Sequence, residues 1–186
     1  MIECMESTVA VPVLSMAVKM RTPTKGRSLV VYISDDCLHL KDELQEILDD
    51  ASRMKTLDQL DILCDSGRSL VYYEQLCKVR ARTINIRSAI LIGLPKFNGM
   101  LETIVISDAM LERGSTAELI DALPSTVKNI ALDSIEAVED HYIPDSIDRL
   151  QDLESIILER VPLKSVSDRL YSLPNLSLLY MIRCSL

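Results

Sequence analysis

Tryptophan is absent from this chain of 186 residues, and phenylalanine occurs once. A hydrophobic core must therefore be aliphatic, and an apolar fraction of 48% is enough to fill one and disfavours disorder. Glycine is scarce as well: five glycines leave little material for a phosphate-binding loop. Two histidines leave few candidates for general acid–base catalysis. We therefore expect a single domain that is not an enzyme, with no catalytic residues, no bound metal and no cofactor.

Basic residues are in the minority, with 20 Lys and Arg against 28 Asp and Glu, so the net charge is −8. Phosphate groups are bound by basic faces, which disfavours nucleic acid as a partner and an anionic membrane as a surface. The sequence has no apolar run of 18 residues that could span a membrane. Five cysteines without close paired spacing indicate reduced thiols and predict an intracellular, cytoplasmic protein.

The two histidines differ in their surroundings in the sequence. His39 lies between Leu38 and Leu40, just after the first bend, and is expected to be an edge residue, whereas His141 lies in the acidic sequence EDHYIPD. Glu139, Asp140, His141 and Asp145 could together bind a metal, but they lack a firm ligand spacing. We therefore interpret this segment as a solvated loop.

A recurring pattern of apolar residues organises the chain. It is clearest at Leu153, Ile156, Leu158, Val161 and Leu163, where the spacing is 3, 2, 3, 2. A helix favours spacings of three and four, and a two-faced strand alternates, so the pattern suits neither over its full length. It predicts a short strand with tight bends, in which every marked residue faces one core.

The same pattern can be placed seven times on the sequence. The third marked residues of the copies are Ile33, Ile62, Ile86, Ile106, Leu132, Leu158 and Met181, at separations of 20 to 29 residues. Both the pattern and its period resemble the leucine-rich repeat family, whose strand carries L-x-x-L-x-L-x-x-N/C-x-L. The resemblance covers residues 27–186 as about seven irregular repeats. Residues 1–26 are then an N-terminal capping segment, in which residues 9–18 form a strand rather than a secretory signal.

The ninth position of the motif departs from the family. It holds Asp36, Asp65, Ala89, Ala109, Ile135, Val161 and Cys184, and only Cys184 matches Asn or Cys. The resemblance therefore implies an irregular, intracellular-type leucine-rich repeat solenoid. Such a solenoid is an α/β horseshoe with a parallel sheet on its concave side and helices on its convex side. The helices are predicted over residues 40–54, 69–79, 115–123, 145–150 and 167–173, and Ser115 with Glu118 could form a capping box.

The residues between the core positions of each strand are expected to face outward. A central row is predicted to hold Tyr32, Asp61, Asn85, Val105, Ala131, Ile157 and Tyr180. The predicted partner-binding residues on the concave face are Tyr32, Asp61, Asn85, Arg87, Val105, Ile157, Leu178, Tyr180 and Ile182. Apolar residues gather toward the C-terminal end of this face, as at interaction sites. The alternatives are scattered apolar residues of an ordinary surface, or cover by a terminal loop or another subunit.

These patterns predict a non-catalytic protein–protein interaction module: an adaptor, regulator or recognition subunit. The alternative is a structural subunit that docks on a larger assembly through an open C-terminal edge. The sequence ends at Leu186, on the last core position of the seventh copy, so self-association through that edge is a further expectation. The partner and its pathway are not indicated by the sequence.

Overall fold

The computed structural model describes residues 10–13, 16–21, 27–33, 40–53, 56–65, 69–93 and 96–184. Within them, the strands are β1 (Ala10–Val13), β2 (Met16–Arg21), β3 (Ser28–Ile33), β4 (Leu57–Cys64), β5 (Ser69–Tyr72), β6 (Ala81–Arg87), β7 (Ala89–Ile92), β8 (Thr103–Leu111), β9 (Asn129–Ala137), β10 (His141–Ile143), β11 (Ser155–Glu159), β12 (Leu163–Val166) and β13 (Leu178–Ile182). The α-helices are α1 (Leu40–Arg53), α2 (Tyr73–Leu76) and α3 (Thr116–Ala122). Two 3₁₀ helices cover Asp145–Arg149 and Asp168–Ser172.

The main sheet is mostly parallel, and its strands follow the order of the chain. Strands β3, β4, β6, β8, β9, β11 and β13 are neighbours in that order, and each pair is parallel. At one end β2 pairs antiparallel with β3, and β1 pairs antiparallel with β2. Strands β1 and β2 thus lie in the N-terminal segment, where the sequence predicted a single strand over residues 9–18. The fold is an α/β fold with a mostly parallel sheet, which confirms that part of the prediction.

The register of the sheet follows the apolar pattern from the second copy onward. The third marked residues, from Ile62 through Ile86, Ile106, Leu132 and Leu158 to Met181, lie side by side on successive strands. In the first copy the prediction is wrong by two residues, because Val31 pairs with Ile62 and Ile33 pairs with Cys64. Tyr32 therefore lies beside Leu63 rather than in the central row. A shift of two residues keeps each side chain on its face of the sheet.

A bend with left-handed backbone follows the first strand of five copies. Ser88, Asp108, Ser134, Arg160 and Arg183 stand at equivalent positions, with φ between 51° and 56°. Beyond the bends at Ser88, Asp108, Ser134 and Arg160 the chain forms a second, shorter run of strand. Strand β5 pairs with β7, β7 with the end of β8, and the end of β8 with the end of β9. Strands β10 and β12 form a separate two-stranded parallel sheet.

The core is aliphatic and continuous. It joins the inner side chains of both runs of strands to the buried faces of α1 and α3. The five residues that define the pattern, Leu153, Ile156, Leu158, Val161 and Leu163, are at most 1% exposed. Ala89, Ala109 and Ile135, at the ninth position of the motif, are also core residues. These residues begin or continue the second strands and pack in the core. Polar side chains that would bond to the backbone of the bend are therefore not needed at these positions.

The predicted helices are only partly as expected. Helices α1 and α3 are confirmed, and the Ser115 N–H donates to Glu118 Oε2 at 2.9 Å, as one half of the expected capping box. The helix predicted over residues 69–79 is wrong: strand β5 precedes the single turn α2, and Leu70 on β5 is 45% exposed. The last two predicted helices are the short 3₁₀ segments. Within the described parts of the chain, every helix is too short or too polar to cross a membrane.

Side chains of alternating charge line the edge where the parallel strands begin. Inter-strand register and backbone hydrogen bonds place Arg27, Asp58, Arg82, Glu102, Lys128 and Glu154 next to one another in that order. Lys128 Nζ lies 3.5 Å from Glu102 Oε2. Opposite charges on neighbouring strands contribute roughly 0.2–1 kcal/mol per pair, and like charges oppose pairing. This charge ladder therefore supports the observed order and register of the strands.

Candidate functional site

The outer face of the main sheet, opposite the core, carries three rows of side chains. Most residues of these rows are half-buried, because neighbouring strands flank them on both sides. The first row holds Ser28, Gln59, Thr83, Thr103, Asn129, Ser155 and Leu178; the central row holds Val30, Asp61, Asn85, Val105, Ala131, Ile157 and Tyr180; the third row holds Tyr32, Leu63, Arg87, Ser107, Asp133, Glu159 and Ile182.

Polar side chains in the middle of this face bond to one another. The Asp61 carboxylate accepts hydrogen bonds from Gln59 Nε2, at 2.8 and 2.9 Å, and from Asn85 Nδ2. Ser155 Oγ donates to Asn129 Oδ1 at 2.7 Å. These contacts satisfy groups that the sheet partly buries. Asp61 and Asn85, which the sequence predicted as binding residues, are thus engaged within the sheet.

Charged side chains on this face also form local pairs. Arg160 Nη2 donates to Asp133 Oδ2 at 2.7 Å, and Arg160 Nη1 donates to Glu159 Oε1 at 2.9 Å. Arg87 Nε lies 3.6 Å from Asp108 Oδ2, and both side chains are well exposed. Exposed pairs of this kind contribute little to stability, about 0–1 kcal/mol. Arg87, another predicted site residue, is therefore part of an ordinary surface ion pair.

Apolar side chains cluster at one end of the outer face. Leu178, Tyr180 and Ile182 on β13 are 45%, 44% and 37% exposed. Ile157 on β11 lies directly beside Tyr180, and Val105 and Ala131 continue the central row behind it. We call Ile157, Leu178, Tyr180 and Ile182 the C-terminal apolar patch.

The structure thus brings together four of the nine residues that the sequence predicted for binding. Val105 lies two strands behind Ile157 in the same row. Tyr32 is 43% exposed but lies on β3, at the other end of the seven parallel strands. The patch, rather than the whole face, is the candidate protein-binding surface.

The core layer beneath β13 is open. Leu176, Leu179, Met181 and Cys184 are only partly buried. The equivalent residues one repeat earlier, Leu153, Ile156, Leu158 and Val161, are at most 1% exposed. Strand β13 pairs with β11 on one edge, and no strand in the described part of the chain pairs with its other edge. Apolar surface is therefore accessible on both faces of this strand.

A groove that the sequence did not predict lies on the other side of the bends. Its volume is about 720 Å³, and its walls come from residues 134–141 and from Arg160, Pro162 and Lys164. His141, predicted in a solvated loop, lies instead on β10 and is 4% exposed, with no hydrogen-bond partner for Nδ1. Burial lowers the pKa of His141, and the charge of Asp140 opposes this shift in part. His39 is outside the described residues.

Comparison of the chain with protein-family models, with curated proteins and with solved structures gave no match.

Proposed function

We propose that this protein is a non-catalytic interaction module that binds another protein through the C-terminal apolar patch. We further propose that its repeats form an irregular leucine-rich repeat solenoid with the main sheet on the concave side. The recurrence of 20 to 29 residues and the parallel strands in chain order support this architecture.

The observation that carries the proposal is the exposure of three large apolar residues on one strand. Contiguous exposed apolar surface marks interaction sites in soluble proteins. Tyr180 lies at the centre of the patch, between Leu178 and Ile182 along the strand and beside Ile157 across it. Tyrosine is among the residues that most often dominate binding energy at interfaces. Glu159 and Arg160, next to the patch, supply the polar rim that such surfaces have.

The rest of the outer face supports this location of the binding surface. Its polar residues are engaged with one another, as the pairs of Asp61 with Asn85 and of Arg160 with Asp133 illustrate. A partner would have to replace those bonds to use them. The C-terminal apolar patch loses only contact with water on binding, and burial of apolar surface contributes about 25 cal/mol per Å².

Affinity enrichment from the native cell, quantified by mass spectrometry, tests the proposal. The baits are the unmodified protein, Ile157→Asp, Tyr180→Asp and the control Tyr171→Asp. Tyr171 is 66% exposed on the second 3₁₀ helix and is not one of the patch residues. A partner retained by the unmodified protein and the control, but lost from both patch variants, is the expected result. Equal recovery by all four baits would contradict the proposal.

A second candidate function is that of a structural subunit that joins an assembly through the edge of β13. The half-exposed inner residues Leu179 and Met181 favour it, because a strand added to that edge would cover them. The occupant could be a second copy or a different subunit. Edge docking predicts that Leu179→Gln disrupts association more than Tyr180→Gln does, whereas binding at the outer face predicts the reverse order. Light scattering over a concentration series identifies a second copy as the occupant.

A further inference from the structure

We propose that the groove between β9 and residues 160–164 is a separate binding site for an extended peptide that carries Lys or Arg side chains. The site is on the second run of strands and does not depend on the proposed function of the C-terminal apolar patch. It stands on the shape of the groove, an unpaired strand edge and the charges of its lining.

The groove arises from an interruption in strand pairing. Strand β11 pairs with β9 at an offset of 26 residues, as in Ser155 beside Asn129. Continued past the bend, this register would place Pro162 beside Glu136. Proline has no N–H to donate to a ladder. Leu163 pairs instead with His141, so that β12 joins β10, with an irregularity in register directly after His141.

One strand edge is consequently left without a partner. Residues 135–137 at the end of β9 pair with Ala109, Met110 and Leu111 of β8 on one side. On the other side, no strand of the described residues pairs with them. Unpaired edges bind added strands through their backbone groups. Three residues of edge correspond to roughly 10 Å of extended chain, and a volume of about 720 Å³ lies within the usual range for ligand sites.

The charges that line the groove determine the kind of peptide. Arg160 is held by two carboxylates on the outer face, and Lys164 pairs with Asp140. Glu136 and Glu139 are exposed and have no ion-pair partner among the described residues. The remaining charge of the lining is therefore negative, in a protein whose net charge is −8. Basic side chains complement it.

The apolar part of the lining fits the alternating faces of an extended peptide. Val138 is 82% exposed and lies between the two glutamates in sequence, and Ala137 adjoins it. Alternate residues of an extended chain point to opposite sides, so basic side chains can reach the glutamates while apolar ones contact Val138. His141 also lines the groove, but it is 4% exposed and its Nδ1 is buried, so it offers a peptide little surface.

The test is a titration of the whole protein with acetyl-Lys-Val-Lys-Val-amide, followed by NMR chemical shifts of the backbone amides. We expect saturable shifts confined to residues 134–141 and 160–164. The double variant Glu136→Gln and Glu139→Gln should bind about fivefold more weakly, since two exposed charge contacts are lost. The matched control Glu74→Gln and Glu112→Gln removes two exposed carboxylates outside the groove and should bind like the unmodified protein.

The proposal would be overturned by an absence of saturable shifts, by equal binding of the double variant, or by equal binding of the same peptide with Glu in place of Lys. Shifts located on β13 would also overturn it. That last outcome would leave the proposed function of the C-terminal apolar patch standing, so the two proposals fail separately.

Discussion

The open core layer beneath β13 predicts unequal costs for two truncations at equivalent positions. Ile156 and Leu179 lie side by side on β11 and β13 and face the same core. Ile156 is 1% exposed and has a strand on each side, so Ile156→Ala should lower the free energy of unfolding by about 2–5 kcal/mol. Leu179 is only partly buried, and we expect Leu179→Ala to cost about 1–2 kcal/mol, in proportion to the smaller apolar area withdrawn from water.

Urea unfolding followed by circular dichroism measures both costs. In a chain of this size each kcal/mol corresponds to roughly 2–4 °C in Tm, so thermal unfolding gives a second readout. Glu154→Ala, at an exposed position next to β11, is the control and should change stability by at most about 1 kcal/mol, because it removes a single charged neighbour of Lys128. Equal losses from Ile156→Ala and Leu179→Ala would refute the open layer. Equal Tm values for Ile156→Ala and Glu154→Ala would show that the strand register is wrong.

Three further predictions concern local features. Gly114 has φ +82°, and an added Cβ would lie 2.1 Å from a carboxylate oxygen of the capping box, so Gly114→Ala should cost at least about 1–2 kcal/mol in urea unfolding. Gly99→Ala, with open space around its Cβ, should cost much less. Burial lowers the pKa of His141, so the unfolded state binds the proton more readily and stability should fall as pH drops below about 6.5. His141→Leu should weaken this pH dependence of Tm; an unchanged profile would assign it to other groups. Lys128→Glu places three acids in succession on the charge ladder, so this variant should be less stable than Lys128→Gln by about 0.5–1 kcal/mol. The difference in stability should shrink in about 1 M salt, which screens the charges. A difference that persists in salt would contradict the electrostatic explanation.

The main sheet could be predicted because its strands repeat one apolar spacing. Side chains such as Ile86, Ile106 and Leu132 mark the same place in each strand, and burial on one face fixes the register. The sequence pattern predicts the first strand two residues out of register, and the reason is physical. Leu29, Val31 and Ile33 are all buried and alternate with outward residues. A shift of two therefore exchanges one buried residue of the strand for the next, so the apolar residues within the strand do not distinguish the two registers.

The second run of strands could not be predicted from the same pattern. Its strands are three or four residues long, and four of them follow a bend whose left-handed residue, at Ser88, Asp108, Ser134 or Arg160, is not glycine. Serine and arginine at such positions, as in Ser88 and Arg160, give no turn signal, because non-glycine residues adopt this backbone only when their surroundings fix it. The apolar residues of β5 are also compatible with a helix. This segment forms a strand because it pairs with β7.

The candidate site was predictable in part. Outward residues of a strand alternate with core residues, so the apolar patch around Tyr180 follows from the sequence once the strands are known. The sequence does not show which outward residues already bond to one another, because the hydrogen bonds of Asp61 and Arg160 are made to residues on neighbouring strands. The groove had no signal at all. The groove lies where the register of β11 with β9 would place Pro162 beside Glu136. The sequence alone does not show which strand lies next to that proline.

The proposal that Tyr180 anchors a protein partner is tested most directly by the dissociation constant of that partner. Isothermal titration calorimetry of the enriched partner, after purification, can compare the unmodified protein with Tyr180→Ala and the control Tyr171→Ala. We predict that Tyr180→Ala weakens binding by at least about tenfold, as expected for an interface anchor, and that Tyr171→Ala leaves the dissociation constant unchanged. An unchanged dissociation constant for Tyr180→Ala would contradict the claim.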